Sequence, residues 1–296
     1  MSSFPIQDNG GEQIQYTYSS YEAYIGHGYM SSCPDFRFPS HWHEDIEMSV
    51  VLNGEMTYNV NGHLVPVHKG DAFFINSRQL HGHYAEPRTD CEYICVLLHP
   101  MLLRLNPAFE EEFVLPILKN EGLSCMKFTE DVPWQRDIRD ELLQLYAERE
   151  RPEAPLLLQA HFCKIWALLF THIDTTKNQG GSSENLQIIK KMLRFIQENY
   201  HDALTLWDIA FSGAVGQSKC CKLFKEYIST TPMMYVNHFR LNKSRTLLEN
   251  TDRSITDIAA AVGFSGASYF TECFRACYHQ SPTEYRRVLK QAAPHK

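Results

Sequence analysis

Apolar residues recur along this chain with two different periods, and the change of period divides it. Short runs rich in Val, Ile, Tyr and Phe cover residues 46–52, 55–60, 63–67, 71–75 and 92–98. Asn53-Gly54, Asn61-Gly62 and Lys69-Gly70 separate them, and Asn-Gly between such runs is the strongest short-range hairpin signal. Strands this short and regular predict a small sandwich or barrel, with an interior suited to a small ligand. From about residue 107 the period lengthens to about 3.6. Residues 134–150 carry Ile138, Leu142, Leu145 and Tyr146 on one side, and residues 156–173 carry Ala160, Cys163, Ala167 and Phe170. Arg151-Pro152 to Pro155 breaks these helices apart. They would pack on the barrel or pair with the same helices of a second chain. Residues 174–184, DTTKNQGGSSE, hold no apolar residue after Asp174 and read as a linker.

Beyond the linker lies a repeat. Leu206, Ile209 and Ala210 recur 49 residues later as Ile255, Ile258 and Ala259. Cys220, Phe224, Lys225, Thr231-Pro232 and Tyr235 recur 50 residues later as Phe270, Phe274, Arg275, Ser281-Pro282 and Tyr285. Each copy opens with an apolar i, i+3, i+4 step, breaks, and restarts with apolar residues four apart, as two short helices joined by a turn do. Thr205 is placed to cap residues 206–212, with Asp208 in the first turn. Ser254 is placed to cap residues 255–261, Gly263 supplies a turn residue, and Ser265 is placed to cap a helix from about 266 to 278. Pro232 opens a helix reaching about residue 250, and Leu186, Ile189, Leu193 and Ile196 stripe another before the repeat. The expected fold class is therefore α+β: an N-terminal β-barrel with flanking helices, then an all-α domain of two helix-turn-helix units joined by a long helix.

Composition narrows the function. The chain has 296 residues, 44% of them hydrophobic, enough for two domains with cores. The start is polar and no run of about eighteen apolar residues occurs, which argues against a secretory signal or a membrane span. Nine cysteines at irregular spacing form no CxxC pair and suggest free thiols in a reducing cytoplasm. The net charge of -7 is unevenly spread: residues 183–296 hold 15 Lys/Arg against 10 Asp/Glu, and residues 1–182 the remaining 13 against 25. A basic module behind an acidic one points to an anionic partner at the C-terminal end.

Two sets of residues carry the chemistry. His41, His43 and Glu47 would project from one face of a continuing strand, as two imidazoles and a carboxylate able to hold a divalent metal or to line a ligand pocket. His41-x-His43-x3-Glu47-x6-Gly54 resembles the first cupin motif, and Gly70-Asp71 with Ile75-Asn76 the second. Phe73 stands where that second motif would place its histidine ligand. His81 and His83 could substitute only if the loop folds back. No bound metal or cofactor is therefore expected, and Arg37, His41, His43, Glu47 and His81 are read as ligand-binding, beside Phe36, Phe38 and Trp42.

The second set lies in the repeat. Arg240-Leu241, Ile255-x2-Ile258-Ala259-x2-Val262-Gly263-Phe264, Tyr269-Phe270-x3-Phe274 and Ser281-Pro282-x2-Tyr285 resemble the AraC/XylS family of transcription regulators over about residues 189–289. The resemblance implies base-edge positions for Ser218, Cys221 and Lys222 in the first unit and for Ala267, Ser268 and Glu272 in the second. Lys219, Thr271 and Arg275 complete the expected DNA-facing set. Ala214 departs from the pattern, since the turn usually has glycine there. The expected layout is a cupin-like sensor barrel over 1–110, a helical segment packing on the barrel or dimerising over 111–173, a linker over 174–185 and the double helix-turn-helix over 186–292. The expected function is a cytoplasmic transcription regulator, an activator in the commoner case. It would be controlled by a small metabolite, plausibly a carbohydrate, and work as a homodimer on a double-stranded operator with RNA polymerase, without a membrane. The alternative is a metal-dependent cupin enzyme with an accessory DNA-binding tail.

Overall fold

The structure is a computed structural model, and it describes residues 14–18, 20–85, 90–174 and 184–292. These form two compact units, one up to residue 174 and one from residue 184. The expected linker falls almost wholly outside the described residues.

Among the described residues the first unit has nine strands in two antiparallel sheets. They are β1 (Ala23–Tyr29), β2 (Arg37–His41), β3 (Ile46–Asn53), β4 (Glu55–Val60), β5 (His63–His68), β6 (Ala72–Ile75), β7 (His81–Tyr84), β8 (Glu92–Leu98) and β9 (Cys125–Phe128). One sheet runs β1-β8-β3-β6-β9 and the other β2-β7-β4-β5. The turns expected from sequence are there, with Gly54, Gly62 and Gly70 at positive φ and Asn61 in the left-handed region before Gly62. Strand β9 lies inside the stretch read as helical, and the barrel's largest sheet closes on it.

The five-stranded sheet is buried on both faces. Met48, Val50, Phe74, Ile94, Val96 and Leu98 face a core shared with two helices, whereas Val51, Phe73, Ile75 and Tyr93 face Met56, Tyr58, Val60 and Val67 of the other sheet. Two-sided burial explains why β3 reads as a nearly continuous apolar run. Two short helical segments, α1 (Pro107–Phe109) and α2 (Leu115–Leu118), precede the long helices α3 (Pro133–Glu148) and α4 (Ala154–His172). Helix α3 buries Ile138, Leu142 and Leu145 as expected. Helix α4 buries Leu158, His161, Phe162, Ile165, Trp166 and Leu169, so the face expected from sequence is largely the wrong one. Ala160, Cys163 and Ala167 are exposed, as is Leu156. The helix is apolar nearly all round, and periodicity cannot choose between faces when both are apolar. Among the described residues, α4 alone is long and apolar enough to cross a membrane, and its larger side chains build the core of this unit.

The second unit is all helix: α5 (Glu184–Asn199), α6 (Leu206–Ser212), α7 (Gln217–Ile228), α8 (Pro232–Asn250), α9 (Ile255–Ala261), α10 (Ala267–Tyr278) and α11 (Pro282–Ala292). Thr205 and Asp208 form a reciprocal capping box on α6, Thr231 caps α8, and Ser254 caps α9. Leu186, Ile189, Leu193 and Ile196 of α5 are buried together with Ile209, Cys220, Leu223 and Phe224. At about 1.5–3 kcal/mol per large apolar side chain, this packing far outweighs any single cap.

Helix α8 binds the two halves of the repeat. Phe224 meets Tyr235 edge to face, Tyr278 Oη donates to Asn242 Oδ1 at 2.9 Å, and Tyr285 Oη donates to Glu249 Oε1 at 2.7 Å. Arg240 is buried, its Nε and Nη2 donating to the carbonyls of Tyr200 and Asp202 at 2.7 and 2.6 Å. The two turns are built differently. Gly263 has φ +87, and an added Cβ would stand 2.5 Å from the Tyr200 carbonyl. Its counterpart Ala214 adopts φ +54, a left-handed conformation that costs a non-glycine residue about 1 kcal/mol.

Candidate functional site

The barrel-side site is assembled from three strands. His41 ends β2, His43 lies in the connection that follows, Glu47 lies in β3 and His81 opens β7. His41 and Glu47 therefore belong to different sheets, which corrects the expectation of one continuing strand. The chain turns between them, and the trio converges from two sides. Phe73 supplies no ligand, and His81, the substitute named from sequence, joins the cluster. Phe73 stacks on Tyr58 in the interior, and the fourth group is His81, which β7 brings in by pairing with β2 and β4. One potential ligand atom from each of His41, His43, Glu47 and His81 lies within 4.8 Å of the other three, and all four residues are buried.

The three imidazoles are held in the same way. Each Nδ1–H donates to a main-chain carbonyl: His41 to Pro39 at 3.0 Å, His43 to Asp45 at 3.0 Å and His81 to Gln79 at 2.8 Å. Anchoring Nδ1 leaves Nε2 to face the cluster, and Glu47 Oε2 lies 3.0 Å from Nε2 of His81 and 3.5 Å from that of His43. Burial alone would raise the Glu47 carboxyl, but His81 and His43 outweigh it and hold it well below the usual carboxylate range. Burial, and then His81 and His43, push His41 well below an ordinary histidine. Two of the Nε2 atoms face a buried carboxylate, which requires a positive charge between them: a proton on an imidazole, or a metal ion. Three imidazole nitrogens and a carboxylate, with each imidazole oriented by a carbonyl, suit a divalent transition metal such as zinc, iron, nickel or manganese. Bound there, the ion would offer a Lewis-acidic position to an oxygen of the effector.

The other expected pocket residue lies elsewhere. Arg37 is exposed, its guanidinium 4.5 Å over the Tyr84 ring. His83, named from sequence only as a possible substitute for the missing metal ligand, sits inside the sheets. His83 stacks on Phe38 at 5.2 Å and meets Tyr93 edge to face at 5.5 Å. Burial pushes its pKa down to about 4. The alternation of β7, which puts 81 and 83 on one face, could have found it.

On the helical unit, Ser218, Lys219, Cys221 and Lys222 of α7 are exposed together, as are Ser268, Glu272 and Arg275 of α10. Ala267 and Thr271 are half-buried, and the Thr271 hydroxyl donates back to the Ala267 carbonyl at 2.7 Å. Ser265 does not cap α10. The N-cap is Gly266, without a side-chain hydrogen bond, and α7 begins in the same way at Gly216. An added Cβ at either glycine would meet nothing within 4 Å. The second helix of each repeat thus presents uncapped backbone N–H groups to open space, an arrangement suited to phosphate. The first helix of each is closed by a side chain.

Comparison with known proteins agrees with this division. A helix-turn-helix domain profile matches residues 212–288 and a cupin domain profile matches residues 29–97. The chain is 27% identical over 252 residues to the uncharacterised HTH-type transcriptional regulator YdeC of Bacillus subtilis, spanning 84% of this chain and 86% of that protein. It is 25% identical over 271 residues to the melibiose operon regulatory protein of Escherichia coli, with 87% and 88% covered. It is 26% identical over 265 residues to the HTH-type transcriptional activator RhaS of Pectobacterium atrosepticum, with 86% and 89% covered. A cupin-like domain ahead of a helix-turn-helix domain, shared along its length with transcription regulators, defines the class as ligand-controlled DNA-binding regulators. The two matched domains and the similarity along most of the chain agree with its resemblance to the AraC/XylS family.

Proposed function

We infer that this protein is a sequence-specific transcription activator of the cytoplasm whose N-terminal unit senses a small carbohydrate. The observation that carries DNA reading is the duplicated pair of exposed helix faces, each opening on an uncapped glycine. Ser218, Lys219, Cys221 and Lys222 of α7, with Ala267, Ser268, Thr271, Glu272 and Arg275 of α10, would face the duplex. Lys222 would donate to guanine O6/N7 and Glu272 would accept from a cytosine amine. Helix α8, 19 residues at about 1.5 Å each, is about 28 Å long. That is close to the ~34 Å of one DNA turn, as two heads reading successive major grooves require.

The sensor role is supported by the buried His41, His43, Glu47 and His81 cluster, and the carbohydrate by the melibiose operon regulatory protein among the relatives. A metal-dependent enzyme could use the same cluster, but relatives that match along most of the chain are regulators. The exposed stripe of Leu156, Ala160, Cys163 and Ala167 on α4 suits close approach of the same helix from a second copy, and RNA polymerase is the expected partner at the promoter. The test is DNA binding by the full chain with and without melibiose at fixed salt. A change in operator affinity supports the reading; sequence-independent binding contradicts it.

A further inference from the structure

We propose that Trp207 and Phe211 of α6 form a docking face for a second protein, one that presents an apolar helix face flanked by lysine or arginine. Neither residue belongs to the set expected to face DNA.

The fold does not require this pair. Trp207 is 57% exposed and Phe211 69%, one helical turn apart on α6, while Ile209 and Ala210 are the buried residues of that helix. The two rings stack with centroids 4.9 Å apart and planes at 13°, so they present one preformed aromatic slab. Single exposed apolar side chains are ordinary, whereas adjoining exposed aromatic rings mark a contact site. The repeat supplies an internal control. Its 49-residue offset sets Trp207 against Thr256 and Phe211 against Ala260 on α9. The equivalent helix forms and buries Ile258 and Ala259 without either ring. Nor does α6 need them to start, since Thr205 and Asp208 already close its N-terminus with a capping box.

Charge indicates what covers the pair. Residues 195–218 carry Glu198, Asp202 and Asp208 but no Lys or Arg, whereas residues 219–296 hold 12 Lys/Arg against 6 Asp/Glu. The matching stretch of the second copy, residues 244–267, includes Arg245 and Arg253. Glu198 shares its charge with Arg194 at 2.8 Å, which leaves Asp202, exposed beside His201, and Asp208, next to Trp207, to set the local sign. A stretch with acids and no cations repels a phosphate backbone. It attracts a basic protein instead, with charge steering the approach and buried aromatic rings supplying the contact. A helix laid along the slab would bury leucine-like side chains on the rings and set its lysines or arginines beside the two aspartates.

The test uses the full chain and, as probe, a labelled amphipathic peptide helix with leucines along one face and lysines on its flanks. The same peptide with glutamate for lysine is the control, and fluorescence anisotropy gives affinity. The basic peptide should bind, more weakly as salt rises. The double variant Trp207→Thr, Phe211→Ala carries the residues of the second copy, so it should fold with an unchanged melting temperature and unchanged DNA binding. It should weaken the basic peptide by about tenfold or more, and Asp202→Asn should weaken it less and flatten its salt dependence. The double variant also separates this face from the acidic first unit, where a basic peptide could bind without these rings. The proposal is overturned if the basic peptide does not bind, if the glutamate peptide binds as tightly, or if the double variant keeps the wild-type affinity. Loss of DNA binding in the double variant overturns it by giving the face to the duplex. Sedimentation that shows self-association of the wild type and none in the double variant overturns it by giving the face to a second copy. Failure of the regulator reading shows separately, as sequence-independent DNA binding by the unmodified chain.

Discussion

Nε2 of His81 lies 3.0 Å from Oε2 of Glu47 although 34 residues separate them in sequence. One stands on β7 and the other on β3, so the contact joins the two sheets across their interior. Removing Glu47 would leave Nε2 of His81 and of His43 buried without the carboxylate that faces them. Glu47→Ala should therefore destabilise the first unit by about 3–5 kcal/mol, read by denaturant unfolding monitored through its tryptophans. A change under about 1 kcal/mol would mean the cluster is solvated rather than closed.

The same four residues predict a response to metal. Zinc or manganese at a hundredfold excess over its dissociation constant should stabilise the chain by about 2.7 kcal/mol. A chelator should reverse the effect, and His81→Ala should remove it. Equal melting temperatures with and without metal would exclude the ion and leave the protonated imidazole as the cluster's cation.

The duplicated turns give a matched pair of substitutions. Ala214→Gly should stabilise the second unit by roughly 1 kcal/mol, by relieving the left-handed backbone of an alanine at φ +54. Gly263→Ala should destabilise it by about 2 kcal/mol or more, because backbone strain adds to a collision with the Tyr200 carbonyl. Chemical denaturation of both variants checks the sign, and equal effects would mean the two turns relax alike.

The helix caps predict acid sensitivity. Hydrogen bonds from Thr205 hold Asp208 below its ordinary pKa, and hydrogen bonds from Ser281 do the same for Glu284. A carboxylate depressed on folding contributes stability above its unfolded pKa and loses it as pH falls through the folded one. Amide exchange at the N-termini of α6 and α11 should stay constant from pH 7 to about 5, after correction for intrinsic rates, and speed up below about pH 4. Exchange that begins to rise near pH 6 would implicate histidines instead.

Much of the helical unit was legible because its signals are local. Thr205, Ser254 and Pro232 mark helix starts by chemistry confined to one turn, and the 49- to 50-residue repeat checks each reading against its copy. Ser265 misled because a serine beside a glycine looks like a cap, while the geometry gives that place to Gly266. The barrel was legible where Asn-Gly turns punctuate it. Strands β1, β2, β7 and β9 escaped notice because they lack such turns between even apolar runs. His81 was named for the pocket, but its meeting with Glu47 depends on which strands pair. Arg37 illustrates the converse, since adjacency to the motif in sequence did not bring it to the cluster. Helix α4 hid its buried face by being apolar on both.

Reading by the first head predicts a specific loss. Lys222→Ala should weaken binding to the preferred operator by about 1–3 kcal/mol and leave folding unchanged. A titration at fixed salt measures it, and unchanged affinity would remove Lys222 from the base-reading set.

Selection of bound sequences from a random double-stranded library, using the full chain, tests the double reading head most directly. Two conserved blocks centred about 10.5 base pairs apart are predicted, with the block contacted by α7 degraded in Lys222→Ala and the other in Glu272→Ala. A single block, or no enrichment over the starting library, would contradict a regulator that reads DNA with both halves of its repeat.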